Sequence, residues 1–154
     1  MRMKVKTRNE LIAQCACFDL RKATRAVSRM YDDFLRDEEL NITQFSLLRL
    51  IRTEKELSIS TLGRYMVMDR TSITRALAPL ERDGLVDSRP GTDKRIRIVS
   101  VTNKGRKHVE RAEPKWRQAQ EALIDTIGED RWRAMSILLR DTARMVRHRT
   151  VTAD

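Results

Sequence analysis

"MDRTSITRALAPLERDGLV", residues 68–86, opens on an acid, an arginine and a cluster of hydroxyls, turns apolar, and ends at Asp83-Gly84. Ile73, Leu77 and Leu80 recur at helical spacing, which predicts a helix from about Asp69 to Asp83. Asp69 is placed to cap its start, and Gly84 to stop it in the left-handed conformation on which helices often end. The three apolar residues share one face. Arg70, Thr71, Ser72, Thr74 and Arg75 crowd the front of the other. A helix built this way is anchored from behind and offers hydrogen-bonding groups ahead.

Working outward, "ELSISTLGRYMVMD" (residues 56–69) predicts a shorter preceding helix, capped by Ser58 or Ser60, with Leu62, Tyr65 and Met66 inward. Before that, Thr43 has the position of an N-cap for a helix carrying Phe45, Leu47, Leu48 and Ile51. Ile12, Ala16, Leu20, Ala23, Val27, Met30 and Phe34 form one apolar stripe along a long first helix, roughly Glu10 to Arg36. After Gly84 the period changes. "LVDSRP" and "RIRIVSV", separated by "GTDK", read as a two-stranded hairpin with a basic tip.

Thr102 then caps a fifth helix with Val109, Ala112, Trp116, Ala119, Leu123 and Ile127 at helical spacing. Gly128 breaks it, and a sixth carries Trp132, Met135, Leu138, Leu139, Thr142 and Val146. Pro79 and Pro114 each remove a backbone donor and are expected to kink or loosen their helices. The fold class is therefore mainly α with a small β-hairpin wing: a winged helix-turn-helix flanked by long helices. Within one domain overall, this assigns residues 1–37 and 103–154 to dimerisation and 38–102 to the winged unit. The outer stripes exceed what the small middle can cover, which implies a partner chain.

Composition narrows the function. Across 154 residues, 32 Lys and Arg face 22 Asp and Glu, a net charge of +10. Such a surplus attracts polyanions, nucleic acid first and anionic membrane second. No apolar run approaches the roughly 18 residues of a membrane span, and "MRMKVKTRNE" is not followed by the apolar core of a signal peptide. The expected location is the cytoplasm, on the nucleoid. Cys15 and Cys17, if both helical, point about 200° apart and cannot bridge, so no disulfide scaffold is indicated. The five glycines are scattered, which excludes a phosphate loop. His108 and His148 lack a neighbouring nucleophile and acid, and no cluster has zinc spacing. Neither an enzyme, a cofactor nor a metal site is expected.

Two short helices, a tight turn and a hairpin place the second helix in a DNA major groove. There Arg70, Thr71, Ser72, Thr74 and Arg75 can bond phosphates and base edges. Singly, these residues fit any ordinary helix start, and Arg95 and Arg97 fit a solvated strand edge. In register with a helix-turn-helix and a wing they point to double-stranded DNA.

The stretch "DRTSITRALAPLERDGLVDSRPGTDKRIRIVSVTNKG" resembles the recognition helix and wing of the MarR family of bacterial transcriptional regulators. That family's wing reads Asp-x-Arg, five residues, then Leu-Thr. Here Asp93, Arg95, Val101 and Thr102 stand there, with Val in place of Leu. The resemblance implies a homodimer joined through the first, fifth and sixth helices, acting as a repressor on a pseudo-palindromic operator. It implies that Arg95 reaches into the minor groove, oriented by Asp93 on the same strand face, with Lys94 and Arg97 on phosphates. The alternative is a basic nucleic-acid-binding or chromosome-packing protein without sequence preference.

Regulators of this family respond to a small aromatic or acyl effector or to cysteine oxidation. Cys17 falls where the hydroperoxide-sensing branch keeps its reactive cysteine, and Tyr31 on one tyrosine partner; the other tyrosine positions are Arg21 and Ile42 here. Residues 17 and 31 are about 21 Å apart along a helix, so a contact would have to cross the dimer. A structural role for the cysteines is the competing reading. By resemblance, a ligand pocket would draw on Phe18, Met30, Phe45, Tyr65, Met66 and Trp116, residues that equally suit a plain core.

Overall fold

The computed structural model describes residues 15–151, and their side chains as far as Val146. The start of the predicted first helix, Ile12 included, lies outside the described residues, as does the side chain of His148. The element order is α1 (Ala16–Leu35), one 3-10 turn (Arg36–Glu38), α2 (Ile42–Glu54), β1 (Glu56–Ser58), α3 (Ile59–Met66), α4 (Arg70–Arg82), β2 (Val86–Pro90), β3 (Arg97–Val101), α5 (Asn103–Ile127) and α6 (Glu129–Val151). The chain forms two compact units that divide within α5, one ending at Trp116 and the other starting at Arg117. None of the described helices is long and apolar enough to cross a membrane.

In the first unit, α2, α3, α4 and the sheet enclose Phe45, Leu48, Ile51, Leu62, Ile73, Leu77, Leu80 and Val99, all essentially without solvent exposure. Each such side chain contributes about 1.5–3 kcal/mol by leaving water, so these helices have fixed rotations about their axes. The N-cap of helix α2 is Asn41, and not Thr43. Asn41 Oδ1 accepts from Gln44 N at 2.9 Å, and Gln44 Oε1 accepts from Asn41 N at 2.9 Å. This reciprocal box satisfies two helix-start donors where a threonine hydroxyl would satisfy one. Asp32 Oδ1 takes a further one, Ile42 N, at 2.7 Å.

Of the two serines that could begin α3, Ser58 does so, accepting from Thr61 N. Tyr65 is not inward as expected: it is 56% exposed, because the eight-residue helix buries Ile59, Leu62 and Gly63 instead. Helix α3 ends on Val67 at φ 52°. A β-branched residue there is strained by about 1–2 kcal/mol, and the tight turn it makes leads directly into α4.

The wing is a three-stranded antiparallel sheet in the order β1-β3-β2, not a two-stranded hairpin. The missed strand is three residues long and pairs with a segment over forty residues away, Glu56 opposite Ser100. No local pattern carries such a pairing. Arg89 reaches across β3 to Glu56 at 2.7 Å.

Helices α4 and α5 run through Pro79 and Pro114 without ending there. In α1 the buried residues are Tyr31 and Leu35, while Ala16, Leu20 and Ala23 of the predicted stripe are exposed and Val27, Met30 and Phe34 half-buried. In the second unit Ala119 and Leu123 are buried, whereas Ile137, Leu138, Leu139, Met145 and Val146 are exposed.

Candidate nucleic-acid interface

Helix α4 is set from behind by Ile73, Leu77 and Leu80, none more than 1% exposed. Its start is held by Asp69, whose two carboxylate oxygens accept from Ser72 N and Ser72 Oγ, each at 2.8 Å. Those bonds, the backbone one first, hold the Asp69 carboxyl below its ordinary range. The cap is therefore complete at neutral pH and is lost only in acid, as pH falls through that lowered value.

One bond further on, Thr74 Oγ1 donates to Arg70 O at 2.8 Å. Two of the five expected contact residues thus spend their hydroxyl protons inside the helix. Arg70, Thr71 and Arg75 are exposed, and their side chains have no protein partner among the described residues. They are the free donors of α4.

The wing tip supplies another set. Asp93 and Arg95 do not share a strand face; both lie in the turn between β2 and β3. Asp93 Oδ1 accepts from Arg95 N at 2.9 Å, and Ile96 N donates to Asp93 O at 2.9 Å. An aspartate bonding the amide two residues on is a common way to close a turn, so Asp93 shapes the backbone beneath Arg95 more than it grips the guanidinium. The Arg95 side chain is 92% exposed, with Nε 3.5 Å from Asp93 Oδ1. Lys94 is also exposed and has no partner among the described residues.

Arg97 is placed differently. Its Nη2 bonds the Glu81 oxygens at 2.7 and 2.8 Å, and Ser88 Oγ donates to the same carboxylate. Glu81 lies near the end of α4, Ser88 on β2 and Arg97 on β3, so three side chains fasten the wing to the helix. Glu81 was not among the expected site residues, although it stands in the "LER" preceding Gly84. The pair is partly exposed, and Glu81→Gln is expected to cost about 1 kcal/mol or less in stability. Its larger consequence is expected in motion: faster amide exchange in β2 and the wing tip relative to α2. Unchanged exchange there would mean that strand pairing alone positions the wing.

The MarR family model matches residues 40–96, which hold the helix-turn-helix and most of the wing. SarZ of Staphylococcus aureus, an HTH-type transcriptional regulator, is 27% identical over 99 residues, covering 64% of this chain and 67% of its own. The M. tuberculosis transcriptional regulator MosR, crystallised in complex with DNA, is 35% identical with a TM-score of 0.76, covering 87% of this chain and 99% of its own. The chain belongs to the MarR family. MarR-family proteins are winged-helix DNA-binding transcriptional regulators and not enzymes. The regulator PcaV of Streptomyces coelicolor, crystallised with its natural ligand, shares the MarR fold at 20% identity (TM-score 0.77; 92% of this chain, 98% of its own).

The residues expected to carry a MarR-type signal are not drawn together. Cys17 is exposed near the start of α1, and Tyr31 is buried, its phenol pKa raised by that burial. Cys15 precedes the helix in extended conformation, so the two cysteines are not successive positions of one helix. Of the six pocket residues, Phe45 and Trp116 stack at 6.0 Å and Met66 packs against the same core. Met30 is half-buried, while Phe18 and Tyr65 face solvent. Arg49 lies over the Trp116 ring at 4.2 Å, a cation–π contact that the sequence reading did not include.

Proposed function

We propose that this MarR-family protein is a homodimeric, sequence-specific repressor. In this reading α4 enters the major groove and the wing the adjacent minor groove of a pseudo-palindromic operator, and a small ligand or cysteine oxidation releases it. The carrying observation is the set of exposed donors: Arg70, Thr71 and Arg75 on α4, Lys94 and Arg95 on the wing, all on one fastened unit. Support for the dimer comes from apolar side chains left exposed on α1 and α6, among them Phe18, Leu20, Leu138 and Met145. The division into dimerisation segments 1–37 and 103–154 around the winged region 38–102 belongs to the same proposal.

Selection of binding sites from random DNA, followed by fluorescence anisotropy against scrambled competitor, tests it. A regulator should recover one near-palindrome and prefer it by roughly 10³-fold or more, with half-sites about one helical turn apart. Equal affinity for all sequences would leave a charge-driven packing protein of net charge +10. Repeating the titration with an organic hydroperoxide, then with reductant, tests the exposed Cys17 as sensor. Specific binding that survives oxidation would rule the cysteine out and leave small aromatic and acyl compounds as the effectors to screen.

A further inference from the structure

We infer that α4 reads thymine methyl groups beside a guanine, through the methyls of Thr74 and Ala78 on either side of Arg75. The inference rests on the proposed entry of α4 into the major groove. With Ile73, Leu77 and Leu80 buried, the exposed positions along the helix include Thr71, Thr74, Arg75 and Ala78. Their offsets of three, four and seven residues put them on one face, so whatever the helix meets in a groove it meets with these side chains.

Their chemistry is narrower than their names suggest. Thr74 Oγ1 is turned back onto Arg70 O at 2.8 Å, which leaves the γ-methyl as its outward group. Ala78 has only a methyl. Of the other two hydroxyls in this stretch, that of Ser72 is bound to Asp69, and that of Thr71, one turn before Arg75, is exposed. On this face, therefore, Arg75 brings a donor fork, Thr71 a hydroxyl on its N-terminal side, and Thr74 and Ala78 bring hydrocarbon. The major groove displays one apolar group, the C5 methyl of thymine, and it displays the O6/N7 pair of guanine that a guanidinium fork fits. Ala78 is three positions from Arg75 and four from Thr74, a separation of about 5–6 Å on a helix, and Thr74 is the immediate neighbour of Arg75, against about 3.4 Å per base along a strand. Both methyls thus fall within one or two base steps of the guanine that Arg75 would bond. The expected half-site is a guanine with thymine close beside it on either strand.

Replacing thymines of the selected operator one at a time by deoxyuridine, in both half-sites together, removes only the methyl. Full-length protein should lose about fourfold per half-site, the value of one buried methyl group, at one or two positions next to the guanine and nowhere else in that groove. Thr74→Val keeps the methyl and loses the hydroxyl; it should bind as the unaltered protein does and keep its sensitivity to deoxyuridine. Thr74→Ser does the reverse, and should bind more weakly and become indifferent to one of those substitutions. The opposite pattern, with Ser tolerated and Val not, would overturn the inference, as would a deoxyuridine scan without effect. Arg75→Ala separates the two levels of the argument. If it relaxes preference at the guanine while the scan is flat, only the methyl reading is wrong. If it changes nothing, Arg75 reads no guanine and the inference fails, with the proposed entry of α4 left to Arg70 and Thr71 to carry.

Discussion

Gly105→Ala is expected to be among the most destabilising single substitutions in the chain. Gly105 sits in the first turn of α5, where a Cβ would lie 2.0 Å from Leu85 O and 2.7 Å from Val101 Cγ1. The first obstacle is backbone and cannot rotate away. It is also in use: Leu85 O accepts from Thr102 N at 3.1 Å, next to the bond from Thr102 Oγ1 to Gly84 O at 2.8 Å. Moving α5 aside would strain or break this cluster and, with it, the bond from Lys104 Nζ to Asp83 O that secures the end of α4. Overpacking of this kind costs about 1–3 kcal/mol or more, and each lost hydrogen bond about 1 kcal/mol. A total near 4 kcal/mol lowers the melting temperature by roughly 8–16 °C in a chain of this size. Gly84→Ala is the control. Gly84 has φ +68° with nothing within 4 Å of a Cβ, so alanine there meets conformational strain alone, about 1–2 kcal/mol. Equal melting shifts for the two variants would show that α5 can slide, and that its junction with α4 is not rigid.

That junction also shows what the sequence could and could not reveal. Asp69 as cap, Gly84 as stop, Thr102 as the start of α5 and the buried Ile73-Leu77-Leu80 face were all legible, because each depends on residues within a few positions of each other. The recognition helix and wing were legible as a family motif for the same reason. What stayed hidden depends on contacts between distant segments. Strand β1 exists only because β3 lies beside it. Arg97 reads as a basic residue on a solvated strand until Glu81, sixteen positions earlier, is brought against it.

The hydroxyls of Ser72 and Thr74 are turned inward for a subtler reason. By residue type a hydroxyl is a donor, but on a helix it can donate backwards to the chain itself, as Thr74 does to Arg70 O. Residue type marks the exposed face of α4 and overstates its polarity. In α1 the stripe placed Val27, Met30 and Phe34 correctly near packed surface, yet the burial falls on the next register, Tyr31 and Leu35. A helix with two candidate faces needs its neighbour before one of them is chosen.

Arg95→Ala should weaken binding to the selected operator about 10- to 100-fold, equivalent to roughly 1–3 kcal/mol, without altering the melting temperature. Stability is spared because the side chain is 92% exposed and, among the described residues, is paired only with Asp93, at 3.5 Å. Affinity is not spared, because the turn beneath it has already been closed by Asp93 and carries the guanidinium outward at little further entropic cost. A wing arginine in a minor groove reads width and the absence of the guanine N2 amino group, not a unique base. Changing A·T pairs to G·C at the flank of the operator should therefore weaken the unaltered protein, while I·C pairs, which lack that amino group, should largely restore it. Arg95→Ala should be indifferent to all three. Lys94→Ala, by contrast, should lower affinity evenly across sequences and flatten the salt dependence, as a phosphate contact does. If Arg95→Ala gives that even loss instead, Arg95 holds the backbone and the minor groove is unread. Unchanged affinity would remove the wing from recognition altogether and leave α4 to supply the whole of the specificity.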